Sequence, residues 1–389
     1  MANQEMEIKM VNYELDEHIR NLISQGKIQS GSYCIAKNGE VVSCNAIGNM
    51  DLGNGNYKQV RLDSIFETQS ITKLITAVAI LILQERGQLS LHDRVGSYIK
   101  EFNREPFAEI TIMHLLTHTS GLVAIEGSLA GEDLEWQSHV DKNDVANSWI
   151  PAVLEKGLSD KPGSSWKYSM AGFCLLGEVI ARVTGERAED FIRREILNPC
   201  EMSETHWKRE ITDEWAKRYQ VRTEKHRKQY ARAQVEGKSA WIDYCTIWDE
   251  IPETAGGLMS TVQDLIQFGI MLAAGGVYKG KRILQEDSFR FLEENQLKEG
   301  TRDYCWDHGG SRIAYGAGCP VYNPEFERDM KVSERTFYHE GTGTCVLMVN
   351  RKDALAAVWN VPFRKEDEWY AEAVKDTASI IWKNNISKT

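Results

Sequence analysis

What most constrains the fold of this chain is a change of hydrophobic period that occurs twice. Residues 12–26 place Leu15, Ile19, Leu22 and Ile23 three or four apart, the spacing of one helix face, and Gly26 follows as a stop. The next stretch, SYCIAK-NG-EVVSCNAIG, reads as two short strands about an Asn38-Gly39 turn. Helical spacing returns at about Ser70, with apolar residues at 71, 74, 75, 78, 81 and 82, and Gly87 closes that segment after Arg86. From about 95 to 300 the pattern stays mostly helical, in IMHLLTH, GFCLLGEVIARVTG, AEDFIRREIL and VQDLIQFGIMLAAGG. Strands resume in TCVLMVN and ALAAVWNV, about a polar Arg351-Lys352-Asp353 turn, and a last helix is expected from about Asp367 to Trp382. Strands at both ends of a helical middle predict an α+β fold in which one sheet draws on both ends of the chain, with a helical lobe inserted. The boundaries expected within a single domain, 12–384, are 12–94 plus 300–384 for the α/β lobe and 95–299 for the helical lobe.

Composition narrows the function. With 389 residues, 42% of them hydrophobic, the chain can bury a large core. A formal net charge of −11 works against a nucleic-acid partner, since that affinity comes mostly from Lys and Arg neutralising phosphates. The exception is local: Lys217, Arg218, Arg222, Lys225, Arg227, Lys228, Arg232 and Lys238 stand against Glu224 and Glu236, a run that reads as a solvated face rather than an anion site. The N-terminal MANQEMEIKMVNYELDEHIRNL has no apolar core of a secretory signal, and no long apolar run suggests a membrane span. A cytoplasmic location is therefore expected. Eight cysteines occur without a C-x-x-C pair, which argues against a zinc or redox site, so no metal and no cofactor is expected. A two-residue turn at Asn38-Gly39 would set Cys34 opposite Ser43 and Cys44 opposite Tyr33, with the two sulfurs on opposite faces, so free thiols are expected.

Three segments carry candidate chemistry. Ser70-Ile71-Thr72-Lys73 is an S-x-x-K at the start of a long helix, where i and i+3 lie on one face and place the ammonium a turn from the hydroxyl. The same spacing at Ser24-Lys27, Ser97-Lys100 and Ser164-Lys167 lacks that context. A helix start also offers free N–H groups to a developing oxyanion. The bland reading makes Ser70 an N-cap and Lys73 a surface charge. In WKYSMAGFCLLGEVIARVTG, Tyr168 and Ser169 precede a second amphipathic helix, where a tyrosine is more often a packing residue. In YHEGTGTCVLMVN, His339-Glu340-Gly341 leads into a strand; glycine there would admit a substrate backbone, and the Thr342 N–H would complete an oxyanion hole with that of Ser70.

In this order the segments resemble the serine β-lactamase and penicillin-binding-protein family, whose signature runs S-x-x-K, Y-x-N, then K-T-G or H-x-G. The likeness spans roughly residues 15 to 384 and is closest to the branch of class C β-lactamases, family VIII carboxylesterases, D-aminopeptidases and related transacylases. It includes GQLSLHDRV, ITIMHLLTHTSGL, LLGEVIARVTG, TAGGLMSTVQDLIQF and the YGAG at Tyr315. It implies a β-lactamase/transpeptidase-like fold with an antiparallel sheet flanked by helices. It also implies that Ser70 is acylated, that Lys73 takes or shares its proton, and that Tyr168 bridges Lys73 and the leaving group. His339 stands where β-lactamases carry a lysine that holds the substrate carboxylate, and Met170 stands where the family usually has Asn. His339, Glu340, Gly341, Ser169 and Met170 are thus the expected substrate-binding set.

The expected activity is hydrolysis of small esters or amides, with a small-molecule ester, amide or lactam as the partner, no nucleic acid and no membrane, and the oligomeric state left open. A β-lactamase or D-amino-acid peptidase, or a transacylase, is the alternative, and a catalytically idle binding module is the rival from another class. The α/β-hydrolase motif G-x-S-x-G is absent. His114 and His118 have the i, i+4 spacing of a metal pair, but Leu115 occupies the place of a zincin glutamate, so they read as a capping and packing pair. Asp307-His308-Gly309-Gly310 reads as a turn rather than a cleft rim.

Overall fold

The structure, a computed structural model, describes residues 12–53, 56–122, 132–210, 212–220, 250–341, 345–362 and 371–386. Helix α1 (Tyr13–Ser24) starts where the Asn12 side chain accepts from the Leu15 N–H at 3.1 Å, and it ends at Gly26, whose φ of 68° only glycine adopts readily. Strands β1 (Ser30–Lys37) and β2 (Glu40–Gly53) follow, joined through Asn38 and Gly39, both at positive φ as the favoured two-residue hairpin turn requires. A short β3 (Asn56–Gln59) pairs with β2.

The hairpin turn is as expected but the register is not. Beyond Ile35↔Ser43 the pairing shifts to Ala36↔Val41, so a bulge takes up one residue and sets Cys34 opposite Cys44. The two sulfurs share a face and form a disulfide, which corrects the expectation of free thiols there. The remaining described cysteines, Cys174, Cys200, Cys305, Cys319 and Cys345, are buried thiols outside any disulfide.

The main sheet has six strands, in the order β4-β5-β6-β1-β2-β3, with β4 (Phe337–Gly341), β5 (Cys345–Asn350) and β6 (Leu355–Asn360) supplied by the far end of the chain. Neighbours are antiparallel throughout, and β1 meets β6 from Ser32↔Asn360 to Lys37↔Leu355. Both faces are covered, and alternate residues go to opposite layers. Tyr33, Ile35, Val346, Met348 and Trp359 pack with Leu15 and Ile19 of α1 and with Ile381 and Trp382 of the last helix, Thr377–Asn385. Cys34, Ala36, Leu347, Val349, Ala356 and Val358 face the other way, toward helix α2 (Ile71–Glu85) and helix Val262–Ala273.

Helix Val262–Ala273 lies within the 95–299 stretch expected for the helical lobe, yet it lies across the sheet, which moves that boundary. The reason is local: a Cβ on Gly269 would stand 3.0 Å from Ala356 Cβ and 3.1 Å from a Leu347 methyl, so the missing side chain lets the helix settle onto β5 and β6. Every residue of α2 from Ile71 to Leu83 is buried, because the sheet lies to one side of it and helix α3 (Met170–Thr184) to the other. A small sheet joins Phe66–Glu67, just before Ser70, to Leu258–Ser260 and His206–Trp207. The basic run beyond Gln220 lies outside the described residues.

Candidate active site

Ser70 occupies the position before α2, but its backbone is already helical and its side chain makes no capping bond. The plain N-cap reading therefore fails. Its half-buried hydroxyl oxygen instead accepts from the Tyr168 hydroxyl at 2.7 Å and from Lys73 Nζ at 3.2 Å. Gln69, at φ 48°, turns the chain from Phe66–Glu67 into α2, and the Thr72 and Lys73 amides already donate back to Gln69 and Ser70. A left-handed non-glycine residue costs ~1–2 kcal/mol. The Thr68 N–H and hydroxyl hold the turn by donating to the Leu258 carbonyl at 3.0 and 2.9 Å.

Lys73 is wholly buried, so its position depends on acceptors. Besides Ser70, it donates to the Ala255 carbonyl at 2.6 Å and to Met170 Sδ at 2.9 Å, and it lies 4.9 Å from the centre of the Tyr168 ring and 5.6 Å from that of Phe173. Ala255 comes close because its loop is tied on both sides. The Thr254 hydroxyl donates to the Phe173 carbonyl at 2.7 Å, and the Thr76 hydroxyl donates to the Thr254 carbonyl at 2.8 Å.

Tyr168 precedes α3. The Ser169 hydroxyl caps that helix by accepting from the Gly172 N–H at 3.2 Å, and the Ser169 N–H donates to His118 Nδ1 at 3.1 Å. His118 must then carry its proton on Nε2. Its ring lies 4.4 Å from that of Tyr168 and 5.2 Å from that of Tyr315. Burial, then the nearby Lys73 and His339, push His118 well below the usual histidine range, so it is neutral. The Trp306 ring lies 5.7 Å from that of Tyr168.

His339 lies on β4, its ring 6.5 Å from Tyr168. Nδ1 stands 3.0 Å from the Glu340 carbonyl, and Nε2 is buried without a hydrogen-bond partner among the described residues. Burial first, and Lys73 second, lower its pKa to about 3. Gly341 is where side-chain bulk is least tolerable: a Cβ there would meet the Thr68 carbonyl at 2.6 Å and Cys345 Sγ at 2.5 Å. The close approach that glycine allows is thus first of all to the chain's own turn before Ser70.

The other expected positions divide. Ser70, Lys73, Tyr168 and Met170 converge, and His339 borders them. Ser169 is buried and its hydroxyl is engaged as a helix cap, Glu340 is half-buried beside His339, and Thr342 lies outside the described residues. His114 forms a capping box with Thr111, and Asp307–Gly310 is a tight turn whose Asp307 pairs with Arg312. Among the described residues no cluster of His, Cys, Asp or Glu is arranged to hold a metal, and no helix is long and apolar enough to cross a membrane. Sequence reasoning passed over the Ala255 carbonyl, the bond from Ser169 to His118, and Trp306. TAGGLMS stood out as a stretch, but a backbone acceptor leaves no side-chain signal.

The sheet drawn from both chain ends, with a serine, a lysine and a tyrosine meeting at the start of a buried helix, defines an α+β fold of the β-lactamase/transpeptidase type. Comparison with known proteins agrees: the Beta-lactamase family model matches residues 15–373, and the chain belongs to that family. It is 32% identical over 178 residues to penicillin-binding protein 4* of Bacillus subtilis (strain 168), covering 45% of this chain and 37% of that protein. The chain thus spans well under half the length of that relative. Among solved structures it is similar to a family VIII carboxylesterase (TM-score 0.73, 18% identity, covering 98% of this chain and 100% of the other). It is equally similar to a class C beta-lactamase (TM-score 0.73, 16% identity, all of both chains).

Proposed function

We propose that this protein is a serine hydrolase that forms an acyl-enzyme on Ser70 with small esters or amides. The observation that carries the reading is the half-buried Ser70 hydroxyl held at 2.7 Å by Tyr168 and at 3.2 Å by Lys73 while it makes no capping bond. In the proposed reaction Ser70 Oγ attacks the substrate carbonyl carbon as its proton passes to the Lys73–Tyr168 pair. The carbonyl oxygen takes the negative charge against the Ser70 and Thr342 N–H groups. The C–O or C–N bond to the leaving group breaks, and the leaving alcohol or amine takes the proton through Tyr168. Water then repeats the sequence on the acyl-enzyme, releases the acid and restores Ser70.

Esters and amides rank ahead of β-lactams for an electrostatic reason. His339 titrates at about 3 and carries no positive charge at neutral pH, so it does not offer a substrate carboxylate the ion pair that a lysine would. The likeness to a carboxylesterase and to a β-lactamase at equal TM-score does not choose between them. A panel of p-nitrophenyl esters, D-alanyl amides and nitrocefin decides, with short esters expected to turn over fastest; faster nitrocefin turnover reverses the ranking.

Fluorophosphonate labelling followed by intact-mass measurement tests the nucleophile. One adduct is expected on the wild-type protein and none on a folded Ser70→Ala variant; an adduct on that variant places the nucleophile elsewhere, and no adduct on the wild type supports an idle binding module. A cytoplasmic location belongs to the same proposal, and since thiols there are mostly kept reduced, Cys34 and Cys44 are expected as thiols in the cell. Alkylation during lysis of the native host, read by mass spectrometry, reports that state directly.

A further inference from the structure

Met170 occupies the family's asparagine position, and its thioether is where Lys73 Nζ points a hydrogen, at 2.9 Å. Thioether sulfur is a weak acceptor, and it is chemically labile in a way an amide is not. Accessibility narrows the described methionines to two. Met50, Met202, Met259, Met271, Met330 and Met348 are buried, whereas among the described methionines Met113 and Met170 are half-buried. Of those two, only Met170 touches Lys73.

We propose that Met170 is a reversible oxidation site through which peroxides slow this enzyme. The inference rests on the acyl-enzyme reading above. In the step, a hydroperoxide transfers its terminal oxygen to Met170 Sδ. The sulfur gives up two electrons, the O–O bond breaks, an S–O bond forms, and hydrogen peroxide leaves as water. The product carries a sulfoxide oxygen within reach of the ammonium. A hydrogen bond from a cation to a strongly polar oxygen is roughly twice as strong as a neutral one. It shifts Lys73 further toward the ammonium and away from the neutral amine, the form whose lone pair receives the Ser70 proton, so acylation slows in proportion. A dithiol-driven methionine sulfoxide reductase reverses the step: the oxygen leaves as water and two thiols become a disulfide.

The experiment treats the full chain with hydrogen peroxide. Peptide mass spectrometry reads oxidation at Met170 and Met113 separately, and fluorophosphonate labelling reads Ser70 in the same samples. Labelling is expected to fall at least tenfold in step with oxidation of Met170, independently of Met113. It should return with methionine sulfoxide reductases A and B plus dithiothreitol, and not with dithiothreitol alone. Met170→Leu, scored against its own untreated labelling, is expected to resist peroxide. Full labelling with Met170 oxidised overturns the inference, as does loss that persists after Met170 is restored or an equal loss in the leucine variant. Peroxide that converts Met113 and leaves Met170 intact overturns it too. Failure of the untreated protein to label at all overturns the acyl-enzyme reading itself, and with it this inference.

Discussion

Lys73 has no exposure to solvent, and an amine so buried is tolerable only while its neighbours accept from it. Its contact with Ser70 is shared with Tyr168, so the three form one unit and their effects should not multiply. Lys73→Ala, Tyr168→Phe and the double variant are each expected to lose about 10³-fold or more in turnover, with the double close to either single. Near-normal turnover in Tyr168→Phe, together with a dead His339→Ala, would assign the base to His339. The structure bears on that alternative through charge. Because His339 titrates at about 3, its protonation state is constant between pH 5 and 8, and His339→Gln is expected to leave the acid limb of the kcat/KM profile in place while altering substrate preference. Displacement of that limb by a full pH unit would show that His339 titrates in the working range.

At the scale of elements, the site depends on how closely strand β4 approaches the turn before α2. Gly341→Ala would press a methyl into the Thr68 carbonyl and Cys345 Sγ, at 2.6 and 2.5 Å, so β4 must retreat and carry His339 with it. A displacement of that order costs up to about 10²-fold in turnover, and steady-state kinetics on the folded variant should show it. Most of these elements were legible in the sequence because their signals are local. The apolar spacing of α1, glycine at its end and Asn-Gly at the hairpin each act within one turn of chain. The β2 bulge was not legible. Register is normally fixed by an apolar face against a polar one, but β1 is buried on both faces, so a shift of one residue leaves no conflict in the pattern. Ser70, Lys73 and Tyr168 could be found from spacing and order along the chain. The Ala255 carbonyl could not, since any residue type supplies one, and Trp306 reaches Tyr168 only through the fold.

For the molecule as a whole, two sets of buried groups make stability depend on pH in opposite directions. His206 and His339, with pKa values lowered to about 4 and about 3, stay neutral in the folded state where the unfolded chain takes up protons at 6.5, so stability is lost as pH falls below 6.5. Glu327 and Glu253, raised to about 7 by burial, keep protons that the unfolded chain releases at 4.5, so stability is lost as pH rises from 4.5 to 7. Glu327→Gln removes one member of the second set. Urea denaturation at pH 5 and pH 7 is expected to show the variant gaining on the wild type as the pH rises, and an unchanged difference would mean that Glu327 is already ionised at pH 5. The sheet has a consequence in time as well. Lys37 of β1 pairs with Leu355 of β6, so on a ribosome adding about 5–20 residues per second the first hairpin waits roughly 15–60 s for its neighbour. Through that interval the β1 edge is an unpaired, apolar template, and newly made chains are exposed to mispairing with one another until the last strands emerge.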